Sequence, residues 1–422
     1  MIKNLFSVLK NNLGNRYLLF IDQALYALFN FGSIFILSKL VSVETFSTYI
    51  IVLSMLNFGF LFSTFFHSSP ILVLLRKKWE DSKQLYLLTL LSSNFILCIF
   101  FSVVLFFVID NQKNQISFWF VFLIPFFMSM YDILKKYSYS SNTMRLSHAI
   151  LASSILNITF FVLIFFNIGR LSIENLFTIL TLAFALSSIY LFVIIIFKES
   201  LIFGINNIQT KVVIDILKSH LRYSKWIIIG GIAFWGYSQG IFIFAKYLNV
   251  SDFGISKVRT IQNILGIVNI IIISIENYYI PYFSTFIKNN SIDKVKYLVK
   301  DLYIKNYLAV IIFFFCVILC VFVLYDILYS EKFSSGTYLI LIFTTIQIVL
   351  LSIRPLIFYL KAMEITFPFF YAHIFALFAM LSFGYIAIPL YGYNGMALTF
   401  LISNFCFALI VIIFYIKKAY KS

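Results

Sequence analysis

Along the chain, apolar runs of about twenty residues follow one another with short polar or charged breaks between them, and each is long enough to cross a hydrocarbon layer of roughly 30 Å. Read this way, the pattern predicts twelve helical spans: 17–40, 45–66, 85–109, 116–134, 146–166, 174–197, 223–248, 252–280, 303–325, 335–360, 368–388 and 391–416. Before the first span, Ile2, Leu5, Phe6, Leu9 and Leu13 repeat at helical spacing beside Lys3 and Lys10, which predicts a helix over 1–16 lying along the inner membrane surface. That segment lacks the small-residue cleavage site of a removable leader.

Composition turns the pattern into a class. The 422 residues are 62% hydrophobic and only 11% charged, with a mean hydropathy of +0.99, a balance that no water-exposed surface of this size carries. The expectation is an integral membrane protein. With the N-terminus on the cytoplasmic side, 24 of the 32 basic residues fall in inner segments, whereas five outer loops hold one each (Lys39, Lys113, Arg170, Lys246, Lys332). The net charge of +16 is therefore read as topology information and anionic-lipid contact, not as a nucleic-acid surface. Cys98, Cys316, Cys320 and Cys406 all lie in apolar runs and are assigned to packing, with no metal site.

The longest hydrophilic link in the middle, 198–222, separates six spans from six, and the two sides rhyme. Lys39–Ser47 reads KLVSVETFS and Lys246–Gly254 reads KYLNVSDFG. LTLAFALSSIYLFVIIIFK near residue 180 resembles LTFLISNFCFALIVIIFYIK near residue 398. The expected fold is thus an all-α membrane protein with about twelve transmembrane helices in two six-helix lobes, 17–197 and 223–422, related by a pseudo-two-fold along the membrane normal. Such folds place a cavity between their halves.

Ionisable groups at membrane depth are costly and point to a cavity or a partner. In the eighth span Arg259, Gln262, Gly266, Asn269, Ile273 and Glu276 step by three and four, which sets a mostly polar face inward. Arg259 begins about 10 Å inside the outer end of that span, and Arg354 precedes Pro355 late in the tenth. Asp22, a turn and a half into the first span, is read as pairing with a basic group such as Arg354, titrating in a gating step, or reaching the headgroups. His67, His148 and His373 read as structural. There is no phosphate-binding Gly-Lys-Ser/Thr loop, no HExxH helix and no long outer loop, so neither an enzyme nor a resident cofactor is expected.

Several of these stretches resemble a family. The Asp22-Gln23 pair with NFGSIFILSKL, VSDFG with RTIQNILGIVNIIIISIENYYIP, and YGYNGMALTF look like the Wzx-type polysaccharide flippases of the multidrug/oligosaccharidyl-lipid/polysaccharide (MOP) exporter superfamily. The likeness spans nearly the whole chain and is firmest at Asp22, Gln23, Asn30, Phe31, Gln262, Asn263, Asn269, Glu276, Asn277 and Pro281. Tyr26–Leu28 departs from it, standing where a small Ser-Gly pair is common. The resemblance implies a transporter in the bacterial cytoplasmic (inner) membrane, both termini cytoplasmic, that flips isoprenoid-diphosphate-linked oligosaccharide outward by alternating access. Arg259, Gln262, Asn263, Asn269, Arg354 and Asn30 would line the substrate cavity, and Asp22 and Glu276 are candidates for ion coupling or gating. Expected partners are the lipid-linked glycan, membrane lipids, a proton or sodium counter-ion and other polysaccharide-assembly proteins. Two alternatives stand beside it: a cation-coupled multidrug exporter of the same superfamily, and a membrane polysaccharide polymerase or transferase.

Overall fold

In hydrocarbon a backbone amide finds no water, so an apolar run that enters a membrane has to close its hydrogen bonds within itself, and the α-helix does so locally. The computed structural model follows that constraint. It describes residues 2–41, 43–110, 117–141, 146–199, 210–265, 268–289, 293–303 and 337–419 with three isolated positions, and among the described residues there is helix but no strand. The helices are α1 (Ile2–Leu40), α2 (Val43–Ser63), α3 (Ser69–Lys78), α4 (Lys83–Asp110), α5 (Phe118–Ser140), α6 (Leu146–Phe166), α7 (Ile173–Glu199), α8 (Thr210–Ser238), α9 (Gly240–Tyr247), α10 (Asp252–Leu265), α11 (Val268–Lys288), α12 (Thr337–Ala362) and α13 (Phe367–Ala419).

Eight stretches of the described chain are long and apolar enough to cross a membrane. The expected ninth span, with Cys316 and Cys320, lies almost wholly outside the described residues. The amphipathic segment before residue 17 runs into the first span as one unbroken helix. The chain divides into two units, Met1–Ser224 and Lys225–Ser422, and the boundary falls inside α8. Part of the 198–222 link is therefore itself helical, from Thr210 onward.

In the first unit α6 packs on α1 and α7, and α5 on α4 and α7. Aromatic rings carry the contact: Phe29 meets Phe160 and Phe184 edge-on at 5.1 and 5.4 Å, and Tyr131 meets Phe184 at 5.7 Å. Between α2 and α3 the helix continues but widens into a π-helical turn at Thr64–Ser68. Pro70 supplies the cause. Its ring nitrogen cannot donate to the carbonyl four residues back, Phe66, and its ring crowds that oxygen. The carbonyls left over are taken by α8: His220 Nδ1 donates to Phe66 O at 2.8 Å and Ser224 Oγ to Phe65 O at 2.7 Å. With Nδ1 donating, His220 Nε2 accepts from the Tyr86 hydroxyl at 2.7 Å, which makes this imidazole the neutral Nδ1–H tautomer. The π-turn is thus the socket in which the first turns of α8 are seated.

In the second unit α12 packs on α10, α11 and α13. The helical run α13 bends at Gly392, whose φ of 57° and ψ of −130° belong to a region only glycine enters freely. Three residues on, a Cβ at Gly395 would stand 2.0 Å from the Ala387 carbonyl oxygen. The two expected spans on either side of this corner, 368–388 and 391–416, are therefore held against each other by a close backbone approach.

Two outcomes are expected from these features. Gly395→Ala lowers the midpoint of thermal unfolding in detergent, or prevents accumulation of folded protein, whereas Gly59→Ala, whose new methyl meets nothing closer than 3.6 Å, leaves it unchanged. His220 lies ahead of the seventh expected span, and burial pushes its pKa down from 6.5 to about 4. The unfolded chain therefore binds its proton first, and the stability this neutral histidine supports is complete above pH 6.5 and is lost as pH falls toward 4. A pH series of melting curves in His220→Gln should show a smaller loss over that window than wild type.

Candidate functional site

One cluster of buried charge in the first unit lies where α1, α5 and α6 meet; another is Glu199 on α7, held by Lys83. Tyr131, Lys135 and Tyr139 recur every four residues and so share one face of α5, which is turned to Asp22 on α1 and Ser153 on α6. Lys135 Nζ stands 3.0 Å from Asp22 Oδ1, and Ser153 Oγ donates to the same oxygen at 2.6 Å. The Tyr139 hydroxyl donates to Asp22 Oδ2, and Gln23 Nε2 reaches that oxygen at 3.2 Å and the Tyr139 oxygen at 2.9 Å. Lys135 also donates to Ser153 Oγ at 3.1 Å and sits 5.0 Å from the ring centres of both Tyr26 and Tyr131. Asp22 is 1% exposed and Lys135 4%. Charges at that depth survive only when each has both an ionic partner and hydrogen bonds, and here both conditions are met.

A second cluster sits on α11 and α12. Glu276 accepts from Lys361 Nζ at Oε1, and its Oε2 lies 3.8 Å from Arg354 NH1. Tyr237 and His373, joined by a 3.2 Å hydrogen bond between the tyrosine hydroxyl and His373 Nδ1, both fall within electrostatic reach of Arg354. These groups are less enclosed than the first set: the side chains of Glu276, Lys361 and Arg354 keep 16%, 17% and 24% of their exposure. Two cations share one carboxylate, so the cluster is net positive, whereas Asp22 and Lys135 cancel.

Of the residues expected from sequence, Asp22, Glu276 and Arg354 enter these clusters. The partner of Asp22 is Lys135 rather than Arg354, which is on Glu276 instead. Gln262 is half-buried on α10, and Asn30 is exposed on α1 beside Tyr26, with which it hydrogen-bonds. The side chains of Arg259, Asn263 and Asn269 lie outside the described residues, as do Gly266 and Ile267 between α10 and α11. Ile273, placed by periodicity on the inward face, is 40% exposed. Sequence reasoning passes over Lys135 and Lys361 because both follow an apolar run and count as cytoplasmic topology charges. The tyrosines four residues to either side of Lys135 are the signal that could have marked it.

No protein-family model and no curated protein sequence matches the chain. Solved structures do. A mutant of the Vibrio cholerae MATE transporter VcmN is similar over 99% of this chain and 98% of its own, with a TM-score of 0.74 at 12% identity. The eukaryotic MATE transporter AtDTX14 covers 96% of each chain with a TM-score of 0.75 at 12% identity. A MOP-superfamily transporter from Pyrococcus furiosus, described as having a binding pocket of reversed polarity that suggests a different function, covers 96% of this chain and 95% of its own, with a TM-score of 0.71 at 12% identity. The chain therefore has the all-α membrane fold of the MOP-superfamily transporters, whose MATE members carry twelve transmembrane helices in two lobes.

The buried pair gives a direct expectation. Lys135→Met strands the Asp22 carboxylate and should cost about 3–5 kcal/mol of stability. The double variant Asp22→Asn, Lys135→Met should recover most of that loss, because an uncharged pair is tolerated where half an ion pair is not. Melting curves of the three proteins in one detergent check it.

Proposed function

We propose that the chain flips an isoprenoid-diphosphate-linked oligosaccharide from the cytoplasmic to the outer leaflet of the bacterial cytoplasmic membrane, with both termini on the cytoplasmic side. The reading rests on one observation: Arg354 and Lys361 converge on the single carboxylate of Glu276, while Asp22 is cancelled by Lys135, so these two clusters together carry positive charge. An anion crossing hydrocarbon needs such charge along its route. An exporter of cationic drugs needs the opposite. Outward movement of the anion is also favoured by an inside-negative potential, at about 2.3 kcal/mol per charge per 100 mV. The pocket of reversed polarity named for the Pyrococcus furiosus transporter supports the idea that this fold accepts either sign.

In this reading the lobes 17–197 and 223–422 rock about the 198–222 link. Arg259, Gln262, Asn263, Asn269, Asn30 and Arg354 line the route, and Asp22 or Glu276 takes the counter-ion, proton or sodium. A second reading, cation-coupled multidrug export, has its own support in the likeness to MATE transporters over nearly the full chain.

Deletion and complementation separate the two. Loss of the gene should strand single lipid-linked units on the inner leaflet and deplete surface glycan, with dye efflux unchanged. Lost efflux with normal glycan would select the exporter, and units stranded on the outer leaflet would point to a polymerase. In complemented cells, an imposed proton or sodium gradient should alter flipping by the wild type and not by the uncoupled carboxylate variant.

A further inference from the structure

On α12, Gln347, Arg354 and Lys361 recur every seven residues and Thr344 stands three before the first, so all four share one face of the helix. From Thr344 to Lys361 that face runs about 25 Å, most of the thickness of a hydrocarbon layer. A polar stripe of this length inside an apolar helix is costly unless its groups are used. Much of it stands unused: Thr344 Oγ1, Gln347 Oε1 and Arg354 Nε are buried without a hydrogen-bond partner. Thr344 and Gln347 are 4% and 8% exposed, so solvent does not serve them.

The cationic end is also incompletely satisfied. Glu276 holds Lys361 closely, but its contact with Arg354 NH1, at 3.8 Å, is an ion pair too long to be a hydrogen bond. The guanidinium thus has its Nε–H without an acceptor, one of the donors an oxyanion takes in a bidentate grip.

We propose that Glu276 is an internal surrogate for the cargo: it holds Lys361 and Arg354 in place until the diphosphate of a lipid-linked sugar displaces it. The headgroup then takes the unpartnered Nε–H of Arg354 together with Lys361, and the acceptor oxygens of Gln347 and Thr344, about 10 Å and more further along the face, receive the sugar hydroxyls. This inference rests on the anionic-cargo reading above and adds to it a competitor and a sugar-recognition step. Physically it lets the two cations wait beside an anion, because Glu276 faces Lys361 and Arg354 until the cargo's diphosphate takes its place.

The test is equilibrium binding to the full-length protein in lipid nanodiscs, with farnesyl diphosphate, the same lipid bearing N-acetylglucosamine on its diphosphate, farnesol and inorganic pyrophosphate as probes. Glu276→Gln removes the competitor and should tighten farnesyl diphosphate binding about tenfold, the size of one charge-assisted bond regained, while Arg354→Met weakens it by a similar factor. Glu276→Asp keeps the negative charge and should not show that tenfold tightening, which separates loss of charge from loss of fold. Gln347→Leu should leave farnesyl diphosphate binding unchanged and abolish the roughly fivefold gain that the sugar brings. Unchanged or weaker binding in Glu276→Gln overturns the surrogate role, and a sugar gain that survives Gln347→Leu overturns the recognition step. Wild type that binds farnesyl diphosphate no better than farnesol sinks the cargo reading itself. Pyrophosphate binding as tightly as farnesyl diphosphate overturns the lipid-linked source in favour of a free anion.

Discussion

A carboxylate carried to membrane depth has to be neutralised where it sits, because no water or counter-ion is close enough to do it from a distance. Asp22 and Glu276 are two such carboxylates among the described residues, and the packing around each answers that need. Asp22 draws Lys135, Ser153, Tyr139 and Gln23 from three helices into one set of bonds, so the side chains that satisfy the charge also fix how α1, α5 and α6 meet. The charge and the packing are the same device.

The second carboxylate is handled differently. Glu276 is shared between two cations, stays partly open, and lies on a helix pair whose facing polar atoms are not all engaged. The contrast separates two uses of intramembrane charge. A closed pair with every lone pair engaged holds helices together. In the second, two cations share one carboxylate and Arg354 Nε has no acceptor. That difference, more than the number of charged residues, supports assigning transport chemistry to the Arg354 and Lys361 region.

The π-turn shows the same economy in the backbone. Pro70 removes a donor from a helix in apolar surroundings, and the freed carbonyls of Phe65 and Phe66 become the attachment for α8. A local defect that would be costly alone is made useful by a partner 154 residues away in sequence. The boundary between the two units falls in that helix directly after Ser224, so the seat ends where the second unit begins.

Much of this was legible in the chain. Apolar runs of membrane length announced an all-α membrane protein, and the isolated Asp22, Glu276 and Arg354 stood out as charge within it, since hydrocarbon penalises every unsatisfied polar group and leaves few exceptions to notice. Pro70 and Gly392 were equally visible, but periodicity alone did not say that the first would open a socket or the second turn a corner. Only the tertiary structure decided which charge answers which: that Lys135 belongs to Asp22 and Lys361 to Glu276, and that Thr344 Oγ1 and Gln347 Oε1, further along α12, are buried without a hydrogen-bond partner. The physical reason is that hydropathy is a property of each residue and can be read in order along a sequence, whereas neutralisation is a property of pairs and exists only once distant helices have been brought within bonding distance.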